Sequence, residues 1–507
     1  MTESEPLPAT PGAMQDERRL HPLSWLFALL TQLRSMVLPA AALLLFGKGD
    51  AWIFAGLIGA AVFALYAFVY SYSFRYRIGP RELLVRSGIF SRTERHVPYE
   101  RIQNIVQKRN VLHRLFDVTE LRLESAGGSK PEAVMSVITL AAAAELERVL
   151  KRRGDVLTDA DPGEDMPLSA AAARLEIGHV ELLRLGLLND RGWVAVSALV
   201  AFYWQFGNRN WDPMRELYRV ATEMFGVWSH AFASWTARAL SVLAIALLVV
   251  TAVKLLSIVM AVLSFYRFRL SGDDERLTTE AGLLTRHVAS ARRDKIQRLI
   301  IDEGWLARRI GRRRMSCEVA AGAQAKGEGN QPAMRLRWLA PIGNEAQIVE
   351  VANWVVPGLH VGQLQWRPLH PHAGRRKFKS MLWRWSLLFI PAIAYVGVAA
   401  LFTVPVAVLL CWLYARGWAR FAAYACEDGF IAFRAGWLHR RWTFARIDKG
   451  QTLSLTHSPF DRRRDMQTLA MDTAGVSMGS FALSIPYLPT GEARDLAETL
   501  RSRLNAP

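Results

Sequence analysis

A segment of 41 residues occurs three times in this chain, each time shortly after a pair of apolar stretches. The copies are Ser87–Gly127, Ala281–Ala321 and Ala435–Gly475, and they align without a gap. Gly88 falls on Gly282 and Gly436, Gln103 on Gln297 and Gln451, and Ala126 on Ala320 and Ala474. Three basic positions recur as well: Arg92 with Arg286 and Arg440, Arg101 with Lys295 and Lys449, and Arg114 with Arg308 and Arg462. A repeat constrains a fold more than any local pattern does, because every copy must build the same supersecondary unit. Here it divides a 507-residue chain into three similar modules.

Apolar residues make up 51% of the chain, yet 63 Lys and Arg outweigh 45 Asp and Glu for a net charge of +18. The two properties coexist because they are segregated along the sequence. A basic balance suits nucleic acid or an anionic membrane surface. The apolar stretches favour the membrane, where each Lys or Arg beside anionic lipid gains roughly 1 kcal/mol. Nucleic acid is therefore not an expected partner. Cys317, Cys411 and Cys426 form no close pair, which argues against a disulfide framework or a cysteine zinc site. The polar start of the chain lacks the basic-then-apolar order of a cleaved leader.

A membrane-spanning helix needs about 20 mostly apolar residues. Six candidates occur: Trp25–Phe46, Ala51–Tyr72, Leu187–Phe206, Ala239–Tyr266, Trp383–Phe402 and Val404–Ala423. They come in twos, each pair followed by a module. Lys and Arg crowd the module between the second and third spans and the GRRKFK segment before the fifth, so modules and both termini are expected in the cytoplasm. The loop Asn208–Arg238 then lies outside; its spaced aromatics predict an amphipathic helix, either at the interface or packed on neighbouring spans. Arg34 and Lys254 fall inside candidate spans. Intramembrane charge suggests a functional site, and snorkelling to the interface is the ordinary alternative.

Within module one, ELLVRSG ends at a turn glycine, LRLES alternates at period two, and VMSVITL leads into the helical AAAAELERVLKRR. Short strands followed by one helix predict a small barrel or sandwich with a capping helix. The series from Gly88 to Arg92, VPYERIQ, LHRLFD and an alternating strand ending at Ala126–Gly128 resembles the bacterial pleckstrin-homology-like (PH-like) domain of YdbT-type membrane proteins. Module two keeps KIQ and RRIG; module three has Gly450 in place of the Ile of RIQ. Asp117 and Asp465 stand where the family tends to have Gly. The resemblance implies a seven-stranded barrel closed by a C-terminal helix, no established catalytic activity, and a role in envelope maintenance or defence against membrane-active agents.

The expected architecture is an α+β membrane protein with about six transmembrane helices in three hairpins, each followed by a cytoplasmic PH-like β-barrel with a C-terminal capping helix. Its expected divisions are a tail (1–22), hairpin one (23–73), module one (74–153), a linker with an amphipathic helix (154–186), hairpin two (187–266), module two (267–357), a basic linker (358–382), hairpin three (383–423) and module three (424–507). Phosphate-loop, zincin and nucleophile-elbow motifs are absent, and His370 with His372 falls short of a normal ligand count, so neither enzyme nor cofactor nor metal is expected.

The nine recurring basic residues are candidate contacts for lipid phosphates or an acidic partner, since Arg forks match phosphate oxygens. Alternatively they solvate the barrels and obey the positive-inside bias. The glutamines are expected to bond backbone. The leading functional reading is a non-enzymatic platform in a bacterial cytoplasmic membrane, partnered by membrane lipids and by a second copy or a second PH-like membrane protein. An anionic-lipid sensor and a transporter or lipid-handling protein are the alternatives.

Overall fold

A computed structural model describes residues 17–27, most of 65–125, 133–154, 173–189 with parts of 192–197, 235–319, 337–396, most of 403–473, and 483–504. In module one the strands are β1 (Arg18–Arg19), β2 (Arg75–Ile78), β3 (Glu82–Ser87), β4 (Thr93–Pro98) and β5 (Ile102–Arg109). A short helix α1 (Val111–Leu115), strands β6 (Val118–Ser125) and β7 (Ala133–Thr139), and the closing helix α2 (Leu140–Gly154) follow. Period-two alternation does what the sequence predicts: Leu121 and Leu123 of β6 are fully buried, as are Leu83 of β3 and Met135 of β7. Together with Ala143 and Leu146 of α2 they form one apolar core.

Module two repeats the plan with β8 (Leu175–Glu176), helix α3 (His179–Leu188), the long helix α4 (Trp235–Phe265), β9 (Arg269–Gly272), β10 (Arg276–Ala281), β11 (Arg286–Arg292) and β12 (Ile296–Gly304). It ends with α5 (Trp305–Arg309), β13 (Arg313–Val319), β14 (Trp338–Gly343) and α6 (Glu345–Val355). Asn344 and Gln347 form a reciprocal capping box at the start of α6, which stabilises such a terminus by about 1 kcal/mol. Module three has β15 (Arg367–Pro368), α7 (Ala373–Val396), α8 (Thr403–Phe421), β16 (Ala423–Glu427), β17 (Phe430–Ala435), β18 (His439–Arg446) and β19 (Gly450–Thr456). Then come α9 (Pro459–Arg462), β20 (Met466–Thr473), β21 (Leu483–Pro489) and α10 (Thr490–Leu504).

Each module thus has seven strands and a closing helix, but the first strand precedes the apolar hairpin. Arg18 pairs with Tyr76, Leu175 with Leu270 and Arg367 with Tyr424, three equivalent registers. Part of the expected tail and of the basic linker therefore belongs to the modules. The expected single barrel is instead two half-sheets, β1–β4 and β5–β7 in module one, with the same division in modules two and three. Turn geometry repeats too. Gly88, Gly282 and Gly436 have φ of 113°, 118° and 126°. A Cβ on Gly436 would lie 1.8 Å from the His439 carbonyl oxygen, and on Gly282 2.0 Å from that of Thr285. Asp117, Gly311 and Asp465 share φ of 49°, 62° and 52°. Aspartate is one of the residues that tolerates this left-handed region, so the two departures from the family glycine preserve the turn.

The membrane part differs from the expectation of six spans. Among the described residues, one helix segment, Ala246–Phe265 of α4, is long and apolar enough to cross a membrane. Helices α7 and α8 pack on each other as a hairpin. However, α7 carries Arg375, Arg376, Lys377, Lys379 and Arg384 in its first half, and the 19-residue α8 includes Arg416 and Arg420. The basic charge is continuous with the helices themselves. Most of the first three expected spans, Arg34 and nearly all of the Asn208–Arg238 loop lie outside the described residues.

Candidate functional site

The sheets do not stop at module boundaries. One seven-stranded sheet runs β7-β6-β5-β11-β10-β9-β8, and a second runs β14-β13-β12-β18-β17-β16-β15. The C-terminal half of module one is hydrogen-bonded to the N-terminal half of module two through β5 and β11, and module two joins module three through β12 and β18. In the first joint Arg286 faces Arg109 and Ala289 faces Val106. In the second Arg440 faces Glu303 and Thr443 faces Ile300. Moving each residue to its counterpart in the next copy converts the first register into the second without a shift. Such agreement is what a specified interface gives, because a one-residue slip would turn every side chain to the other face.

Two of the three recurring basic positions lie at these joints. Arg114 Nη1 donates to the Leu283 carbonyl at 3.4 Å. Its counterpart Arg308 donates through Nη2 to the Trp437 carbonyl at 2.9 Å, and Trp437 is the counterpart of Leu283. Arg308 also reaches Glu303 at 3.2 Å. Glu303 is 5% exposed and is shared with Arg313 at 2.9 Å and Arg440 at 3.7 Å. Arg440 stacks on Phe421, whereas Arg286 pairs with Glu280 at 2.5 Å.

The remaining candidates sit elsewhere. Lys295 and Lys449 pair locally with Asp294 at 3.4 Å and Asp448 at 3.3 Å, in turns that lead into β12 and β19. Arg101 lies outside the described residues. Arg92 is exposed beside β4, and Arg462 is exposed with Nη2 3.0 Å from His457 Nε2. Gln297 donates to the Lys295 carbonyl at 3.4 Å, a backbone contact. Lys254 donates to the Leu187 carbonyl at 3.1 Å, tying α4 to the end of α3.

A cleft of about 470 Å³ opens at the first joint, where α4 ends. Arg114, Arg267, Arg269 and Arg286 line it, with Glu280 the one carboxylate. In the second joint the counterparts of Tyr266 and Arg267 are Arg420 and Phe421, and Phe421 carries stacked Arg434 and Arg440. Repeat matching found Arg114 and Arg286 but missed Arg267, Arg269, Asp302 and Glu303. None of these recurs in all three modules: Arg269 matches Arg75 in module one but Ala423 in module three, so the available signal was the basic run straight after the fourth span.

Burial and charge differ between the joints. Burial, with Lys108 nearby, lowers the His287 imidazole to about 4. Burial, opposed by Asp117 and aided by Arg286 and Arg114, lowers the Arg109 guanidinium. In the second joint burial would raise the Asp302 carboxyl, but hydrogen bonds from His439 at 3.0 Å and Arg441 at 2.7 Å outweigh it and hold the group low.

Seven strands in two sheets with a closing helix, built three times over, define a chain of tandem PH-like modules. The family described as "Bacterial PH domain" matches residues 26–154, 222–340 and 386–504, and the chain belongs to that family. Each match takes in apolar sequence and the sheets that follow it. Over 150 residues the chain is 27% identical to the "UPF0699 transmembrane protein YdbT" of Bacillus subtilis (strain 168), which makes it YdbT-like. That similarity covers 28% of this chain and 30% of the relative. No solved structure matches.

Proposed function

We propose that this chain is a non-enzymatic integral protein of a bacterial cytoplasmic membrane, in which three fused PH-like modules form one rigid cytoplasmic platform for assembly. The six apolar stretches act as three hairpins that hold both termini and all modules on the inner side. The observation that carries the reading is the repeated β-sheet joint. Modules on flexible linkers would sample a shared target independently, whereas modules that share sheets present their surfaces at fixed spacing. A role in envelope maintenance or defence is compatible with such a platform. Transport draws less support, because Lys254 is engaged in holding α3 against α4. Cysteine accessibility mapping in intact cells tests the topology: probes at 274 and 428 should be reachable only after permeabilisation. Labelling from outside would overturn the platform's orientation.

A second reading, recognition of anionic headgroups, is favoured by the cleft at the end of α4. Four arginines there face one glutamate, beside the helix that is apolar enough to span. Leu283, Leu284, Leu115 and Phe116 are exposed around the same turn, as expected of a surface that touches lipid. Lipid copurifying with the full chain should lose its anionic component when Arg267 and Arg269 become Gln. An unchanged lipid profile would remove this reading.

A further inference from the structure

We propose that copies of this chain join head to tail, the β19 edge of one copy pairing antiparallel with the β4 edge of the next. The chain builds three N-terminal half-sheets and three C-terminal half-sheets, and its two joints use two of each. Among the described residues the unused pair is left at opposite ends of the module series: β4 is the edge of the sheet β1-β2-β3-β4, and β19 is the edge of the sheet β19-β20-β21. These are the counterparts of β11 and β18 and of β5 and β12. Burial shows what each lacks. Ala289, Ser290 and Ala291 are buried in the first joint, and Thr443, Phe444 and Ala445 in the second. Of their counterparts on β4, Arg95 and His96 are exposed while Val97 is buried; on β19, Gln451, Thr452, Leu455 and Thr456 are exposed.

An open edge is a template for another strand, and here the strand that fits is already specified by the chain's own joints. Carried onto the free edges, the common register sets Thr452 opposite Val97, Leu453 opposite His96, Ser454 opposite Arg95, Leu455 opposite Glu94 and Thr456 opposite Thr93. The charged side chains of β4 keep this joint weaker than the internal two, as suits contacts that must form between separate chains. Because the two surfaces differ, the contact is heterologous and builds either a closed ring or an open row. The membrane aligns both edges.

The inference rests on the platform reading for that alignment, and cross-linking in two settings separates them. Full-length chain carrying both L455C and E94C, treated in its native membrane with a short bismaleimide, should give a ladder of multiples of the chain. Either single variant should not give it. Leu455 is already exposed, so L455E should fold, and by opposing Glu94 it should weaken self-association about fivefold; E94K with L455E should restore it. Absence of the ladder, failure of the charge swap to restore it, or cross-links solely to other proteins would overturn the pairing. A ladder in detergent from a chain whose modules label from outside would keep the pairing and reject the platform's orientation.

Discussion

The two internal joints have one backbone and two chemistries. Both pair the same strands in the same register, and both send the recurring arginine of one module to the equivalent turn carbonyl of the next. The first joint gathers Arg109, Arg114 and Arg286, with Asp117 and Glu280 as nearby carboxylates. The second centres on buried Glu303, shared by three arginines, with Asp302 held by His439 and Arg441. Backbone pairing is tolerant of side chains as long as the pleat matches, so one interface can be filled twice in different ways. The first joint is left with a basic cleft, and the second is closed by stacked aromatics and arginines. A repeated fold has thus kept its joint and discarded a common surface.

The largest effects should come from what the joints share. Gly436→Ala and Gly282→Ala should each cost more than about 2 kcal/mol, since both force a side chain onto a carbonyl at positive φ. Equal losses in thermal unfolding of the full chain would show that the backbone of the two joints is equivalent. A large difference would break the comparison at its base. Next comes the buried charge. Glu303→Gln should destabilise by about 2–4 kcal/mol, because it leaves clustered guanidinium groups without their counter-ion. The matching Arg109→Gln should stay within about 1 kcal/mol, as it relieves a basic cluster. Hydrogen exchange on β12 and β18, against β5 and β11, would read both.

The recurring arginine should divide the joints more finely. Arg308→Ala should cost about 1–2 kcal/mol and Arg114→Ala less than about 0.5, because an exposed bond at 3.4 Å contributes little. Acid should act on the joints in sequence. His287 stays neutral in the folded chain to about pH 4, so an unfolded chain binds the extra proton first. The first joint should lose protection as pH falls from about 6.5 to 4. The Asp302 carboxyl lies below its ordinary value, so its contribution to the second joint persists through that range and fades only as pH falls below the ordinary aspartate value. Simultaneous loss in both joints would contradict this order. The smallest change expected is Gly311→Asp, within about 0.5 kcal/mol, because aspartate already occupies the equivalent turn in modules one and three.

Much of each module was legible in the chain. The alternation of LRLES became β6, VMSVITL became β7, and the alanine-rich run after it became α2. The gap-free alignment placed three positive-φ glycines on one turn and explained the aspartates. Other parts were not legible. The two-residue strands β1, β8 and β15 are too short for any period, and their pairing comes from backbone across an intervening hairpin. Glu303 carries no repeat signal, since its counterparts are Arg109 and His457.

The sequence by itself determined three copies of one unit, because side-chain period and turn residues are local properties that recur with the repeat. The tertiary structure decided how those copies meet. Strand edges join through backbone N–H and C=O groups, so no local period in the chain says which edge meets which. For the same reason the role of Arg114 and Arg308 emerged only once the strands were side by side. Their target is a carbonyl in the next module, placed there by the register of two edges far apart in sequence.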